Sequence, residues 1–227
     1  MTGAVLYSLV QDLSLELKQR GVVFTNSGWP KLPPEAYLRE EEAVRIMQLL
    51  PYTKKSCALN KATTAICFYE TDMQLCKHVH NLNRLIREVQ SFRAVCGMDF
   101  SVCLDVPSEE QNFFQLANRL LDAWMWSSGI RLIPNFRCGR AAMTSLLTLP
   151  QGLTYSVGAL GCTKGWRMDK ALHLRQKLLI LQPARLLIYG RPSRAYLDIL
   201  EEEGVPYTLF TDFRTQSYRR SAQQEVA

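Results

Sequence analysis

The stretch ARLLIYGRPSRAYLDILEEEGVPYTLFT, residues 184–211, reads as strand, helix, strand. Ala184 to Gly190 is an apolar run closed by glycine, Ser193 is an N-cap residue for a helix that stops at Gly204, and Pro206 to Thr211 is a second short apolar run. Two such strands joined by an amphipathic helix make a right-handed crossover between parallel neighbours. The unit decides the fold because the same alternation runs back through most of the chain.

Upstream strand candidates are TAICFY (64–69), FRAVCGMDF (92–100), IRLIPNF (130–136) and LTYSVGAL (153–160). Between them the apolar period shifts to 3.6. Leu75, Val79, Leu82, Ile86 and Val89 share one helical face, Phe113, Ala117, Leu120 and Trp124 another, and Ala171, Leu174, Leu178 and Leu181 a third. The expected class is α/β, with a mostly parallel sheet and helices outside. Six strands fit either a doubly wound open sheet or an incomplete (β/α) barrel whose missing strands come from the early segment.

That early segment, residues 1–55, reads as helical. Leu6, Leu9, Val10, Leu13 and Leu17 keep helical spacing up to Gly21, and a second helix is expected from Glu35 through Ile46 to Leu50, after a loop holding Pro30, Pro33 and Pro34. The helical segment packs on the alternating core of residues 56–213 to make one domain over 1–213. Residues 214–227 are polar, without an apolar period, and are expected to be a disordered tail.

A chain of 227 residues, 47% of them hydrophobic, has enough apolar surface for one such core. Its apolar runs are too short for a membrane span and no secretory signal pattern opens the chain, so a cytoplasmic protein without a membrane partner is expected. The seven cysteines are odd in number, lie in apolar segments and form no C-x-x-C pair, which reads as reduced thiols. A net charge of +6 favours an anionic partner, although solubility alone also accounts for it.

Residues that follow the strands carry the chemistry. Arg137, Gly139 and Arg140 follow IRLIPNF; Gly161, Cys162, Thr163, Lys164, Gly165 and Arg167 follow LTYSVGAL; Arg191, Pro192, Ser193 and Arg194 follow LLIYG. Three strand ends thus place glycine and cations where helix N-termini already favour an anion, and a phosphate- or carboxylate-binding face is expected. The bland alternative is a set of solvated loop cations, some paired with Glu201 to Glu203. No phosphate loop of the G-x-x-x-x-G-K-[ST] type is present, and GALGCTKG lacks the dinucleotide-binding spacing.

The earlier strand end supplies opposite charge, with Asp99 and Ser101 at its close and Asp105 just beyond. A carboxylate there is placed for acid–base work, for holding Mg²⁺ through waters, or for orienting an arginine. Cys67, Cys76, His78 and His80 make a poor metal set, since histidines at i and i+2 of a helix point apart. Cys162 beside cations reads as a buried thiol before a nucleophile, Trp124 and Trp126 as helix packing before a stacking surface, and His173 as a helix residue with nothing nearby to make it catalytic.

The segments LNKA (59–62), GMDFS (97–101), NR (118–119), IPNFR (133–137), GC (161–162) and YG (189–190) resemble the ordered motifs of the domain of unknown function DUF4417, a family of bacteria, archaea and their viruses, over residues 56–211. The resemblance marks Asp99, Ser101, Asn118, Arg119, Asn135, Arg137 and Tyr189 as site residues and implies no reaction. Where that family often has tryptophan after the arginine, this chain has Cys138, so a stacking role there does not transfer. Arg119, at the edge of an apolar helix face, is expected to pair with Asp99 or Asp105.

Two functions follow as expectations. In the first, an enzyme binds a phosphorylated or nucleotide-like ligand through Arg137, Lys164, Arg191 and Arg194. Asp99 and Asp105 supply acid–base chemistry or a Mg²⁺ contact, and Ser101, Arg119, Asn135 and Tyr189 complete the pocket. In the second, a non-catalytic protein of mobile elements or phage holds DNA or RNA on the same basic face and through Arg214, Arg219 and Arg220.

Overall fold

Four leucines and valines of the first helix, Leu6, Val10, Leu13 and Leu17, are buried against the core in the computed structural model, which describes residues 3–159 and 168–216. That helix, α1 (Gly3–Gln19), ends as its spacing predicts: Gly21 takes φ +81°, a left-handed conformation that favours glycine. A small antiparallel pair, β1 (Val23–Phe24) and β2 (Pro30–Lys31), and a short helix α2 (Glu40–Ala43) follow.

The helix expected over 35–50 is not formed beyond α2. Instead, β3 (Gln48–Pro51) pairs in parallel with β4 (Thr64–Cys67). Leu49 and Leu50 are both buried although adjacent, and they belong to different core clusters. Adjacent side chains point to opposite faces of a strand, so a strand between two apolar layers buries both.

The helical face expected over 75–89 is broken into α3 (Asp72–Val79) and α4 (Leu82–Val89). Asn81 sits between them with a non-helical backbone, and its Oδ1 accepts from the Arg84 N–H at 2.9 Å. The break re-aims the face, so Leu85 and Val89 are buried while Leu82 and Ile86 are only partly covered.

The remaining elements stand where the alternation places them: β5 (Ala94–Cys96), α5 (Ser108–Ser127), β6 (Leu132–Ile133), β7 (Thr154–Gly158), α6 (Met168–Leu181), β8 (Arg185–Tyr189), α7 (Arg194–Glu202) and β9 (Tyr207–Phe210). Ser193 caps α7 as expected, its Oγ accepting from the Tyr196 N–H.

β3 to β6 form one parallel sheet and β7 to β9 another, each in sequence order. A parallel bridge between Asn135 and Ser156 links the two, while Tyr37 covers the start of the same β6 edge by bridging Leu132. Seven consecutive parallel strands without reversal are the order of a (β/α) barrel, not of a doubly wound sheet. Inward residues from both sheets, among them Leu49, Ala65, Cys67, Cys96, Ile133, Leu187, Tyr189 and Phe210, meet in one buried cluster. Their alternates Leu50, Ile66, Val95, Leu132, Leu186 and Ile188 join the helical layer. Among the described residues no ladder joins β9 to β3, so the barrel is incomplete.

Residues 213–216 form a helical turn secured by Asp212, whose Oδ1 accepts from the Thr215 N–H at 3.0 Å. Residues 214–216, expected in the disordered tail, are therefore ordered, and 217–227 lie outside the described residues. Among the described residues no helix is long and apolar enough to cross a membrane.

Candidate functional site

Beyond Gly97, whose N–H still donates to the Ile133 carbonyl at 2.9 Å, the backbone of Met98–Ser101 has left its ladder, and side chains take over the hydrogen bonding. The Met98 N–H donates to Asp122 Oδ1 at 2.8 Å, and the Phe100 N–H to Asn118 Oδ1 at 2.8 Å. Asn118 Nδ2 donates back to the Phe100 carbonyl at 3.1 Å, and Asn135 Nδ2 to the Met98 carbonyl at 3.0 Å. The Ser101 N–H and hydroxyl both donate to Asp72 Oδ1, at 2.9 and 3.0 Å. Buried backbone groups need partners, and here Asn118 and Asp122, one turn apart on α5, provide them. Gly97 is required by the close approach, because a Cβ there would lie 2.8 Å from Asp122 Oδ2 and 2.9 Å from the Asn135 nitrogen.

This framework holds Asp99, 3% exposed, at the floor of a cleft of about 1090 Å³ across the carboxyl ends of the strands. Asn135 Nδ2 donates to Asp99 Oδ1 at 2.7 Å, and Arg137 Nε lies 3.0 Å from the same oxygen. Burial pushes the Asp99 carboxyl up to about 6, against the pull of Arg137 and Asn135 and with a smaller push from Asp72. Asp122 behind it is pushed up to about 7, again by burial, with Arg119 and the Met98 N–H opposing and Asp99 adding to the push.

Of the residues expected at the site, Asp99, Ser101, Asp105, Arg137 and Tyr189 line the cleft. Asn135 supports Asp99 from behind, and the Tyr189 hydroxyl accepts from the Phe213 N–H at 2.8 Å. Arg119 is a correction. It is buried, donates to Thr148 Oγ1 at 2.8 Å and faces the charge of Asp122, pairing with neither Asp99 nor Asp105. Thr148, Asp122 and the Tyr37 hydroxyl hold it there, away from the cleft lining. Arg191 and Arg194 are also absent from the lining, and Arg194 is 71% exposed and paired with Asp198 and Glu201. Lys164 and Cys162 lie outside the described residues.

Several lining residues carried no sequence signal of their own. Glu70 accepts from the Thr53 N–H and hydroxyl and contacts His78 Nε2 at 2.8 Å. Although burial pushes its carboxyl up, the His78 and Thr53 hydrogen bonds hold it below the usual range. His78 is thereby committed to Glu70 and lies against the Tyr52 ring. Lys54 sits over the Phe213 ring at 5.3 Å, whereas Arg140, already expected as a strand-end cation, pairs with Asp169 at 2.8 Å. Lys177 donates to the Phe136 carbonyl at 3.3 Å and stands over that ring.

His173 is a second correction. The expectation gave it no catalytic neighbours, yet its ring lines the cleft with Lys177, Arg140 and Cys138 beside it. One readable signal did exist for the frame: Gln111, Gln115, Asn118 and Asp122 form a polar stripe at helical spacing on the buried side of α5. Buried Asx and Gln side chains of a helix generally bond to groups outside it, as Gln111, Asn118 and Asp122 do here.

A consecutive parallel barrel with a buried carboxylate at its strand-end cleft defines this chain as a barrel-type α/β protein. The chain belongs to the family described as Domain of unknown function (DUF4417), whose model matches residues 30–206. That match begins upstream of residue 56 and takes in β3. No curated protein and no solved structure matches the chain.

Proposed function

We propose that the strand-end cleft is an enzyme active site for a phosphorylated or nucleotide-like ligand, with Asp99 as the acid–base group and Arg137 as its anion contact. The observation that carries the reading is Asp99 itself. A carboxylate 3% exposed, held by Asn135 and Arg137 and with its pKa raised to about 6, is poised to exchange a proton near neutral pH. Lys54, Arg140, Lys170, Lys177 and Arg214 share the lining with Arg137, which supports an anionic ligand, and Tyr69, Tyr189 and Phe213 support a partly apolar one.

The test is a thermal-shift series with inorganic phosphate, sugar phosphates, nucleotides and short DNA and RNA, each with and without Mg²⁺. A small anion at one hundred times its dissociation constant should add about 2.7 kcal/mol of stability, and Arg137→Ala should abolish the shift. Turnover of that ligand, followed by NMR for product signals, should vanish in Asp99→Asn while binding persists. A salt-sensitive shift with nucleic acid and none with small anions would overturn the reading in favour of a nucleic-acid-binding module.

A further inference from the structure

Helix α6 lines the cleft with one stripe of side chains, Lys170, His173 and Lys177, spaced three and four residues apart. The middle member differs in kind from its neighbours. His173 Nε2 lies 2.8 Å from the Cys138 carbonyl oxygen, which can only accept, so Nε2 carries the ring proton. Nδ1 is then a bare acceptor, and it has no hydrogen-bond partner among the described residues, although the residue is only 6% exposed. Folded proteins rarely leave such an atom unmet, and for one that belongs to a residue of a cleft wall a ligand donor is the natural partner.

The ring is also held neutral. Burial and the nearby Lys177 charge push its pKa down to about 4; the Cys138 contact opposes them, Arg140 adds to the fall and Asp169 counters it. A histidine in this state accepts a hydrogen bond without competing for the anion as a third cation. The lysines on either side of it are donors only.

Building on the anion-site reading, the geometry points to a ligand that carries a hydroxyl group next to its anionic group, with His173 Nδ1 accepting from the hydroxyl and the α6 lysines facing the anion. His173 is thus a specificity residue, and the substrate class narrows from phosphorylated or nucleotide-like ligands to phosphates with a hydroxyl beside the anionic group. A site built to hydrogen-bond a hydroxyl discriminates strongly against the analogue that lacks it, because the buried acceptor is then left unpaired.

The test compares glycerol 3-phosphate with n-propyl phosphate by calorimetric titration of the full chain, with inorganic phosphate as the reference anion. The wild-type protein should bind glycerol 3-phosphate at least about tenfold more tightly than n-propyl phosphate. His173→Phe should erase that preference while keeping phosphate binding, and His173→Asn, which retains an acceptor near Nδ1, should restore part of it. Equal affinity of the wild type for the two esters would overturn the inference and leave the anion site standing. A preference that survives in His173→Phe would overturn it too, by placing hydroxyl recognition elsewhere. Binding of none of the three probes would remove both the inference and the reading beneath it. The wild-type comparison decides the matter even if a variant fails to fold.

Discussion

The ends of β5 and β6 and the end of β8 look alike in sequence, yet the structure treats them differently. Each offers a glycine and charged residues directly after an apolar strand. At β5 and β6, Asp99 and Arg137 are drawn inward and pair at 3.0 Å, because Asn118, Asp122 and Asn135 bond the backbone around them. At β8, Arg194 stays on the surface with Asp198 and Glu201, and Arg191 is exposed as well. What distinguishes a site from a charged loop here is a second layer of buried polar side chains. Cations at a strand end are common to both.

The sharpest way to break this comparison is to neutralise the second layer. Asp122 has its folded pKa raised to about 7 from an ordinary 3.8, so the folded state keeps a proton that the unfolded chain has released. Its favourable contribution is full below the unfolded pKa and is lost as pH rises through about 7. Asp122→Asn keeps an acceptor for the Met98 N–H and removes the titration. The stability of the variant relative to wild type should therefore grow by on the order of 3 kcal/mol between pH 4 and pH 8. Urea unfolding at pH 4, 6 and 8 measures it, and a difference that does not change with pH would show that Asp122 is not the proton-holding partner described.

A smaller effect is expected from filling the close approach at Gly97. Gly97→Ala places a methyl group against Asp122 Oδ2, the end of a side chain held through its other oxygen by the Met98 N–H, and against the Asn135 backbone. It should cost about 2 kcal/mol and disturb Asp99 as well. Urea unfolding reads the first and the NMR titration of the Asp99 carboxyl carbon the second. A variant as stable as wild type would mean that β5 and β6 have room to part.

The smallest effect belongs to the other region. Arg194→Ala removes two exposed, salt-screened pairs and should leave both the melting temperature and any phosphate-induced shift unchanged within error. Loss of ligand binding in this variant would return the β8 end to the site and sharpen the comparison the other way.

Six of the seven barrel strands were legible because each is a short apolar run between helical periods. β3 was not, since Leu49 and Leu50 continue a helical spacing as readily as they start a strand, and only pairing with β4 decides between them. Asp99, Ser101, Asn135 and Arg137 were legible from their place at strand ends. His173 and Lys177 were hidden, because their helix faces the cleft only once α6 has packed beside the strand end that holds Cys138 and Phe136. Arg119 was misplaced for the same reason in reverse.

By itself, then, the sequence determined the α/β class, the parallel crossovers, the cap at Ser193 and the strand-end position of the principal carboxylate. All of these depend on local spacing and on backbone chemistry within one strand–helix unit. Tertiary structure alone decided the barrel order over the open sheet, the pairing of Asp99 with Arg137, the exile of Arg194 and the entry of His173 into the cleft. Each of these depends on which side chains meet across distant elements, and burial then sets their charge: the same aspartate that would ionise near 3.8 in water is held to about 6 at the floor of this cleft.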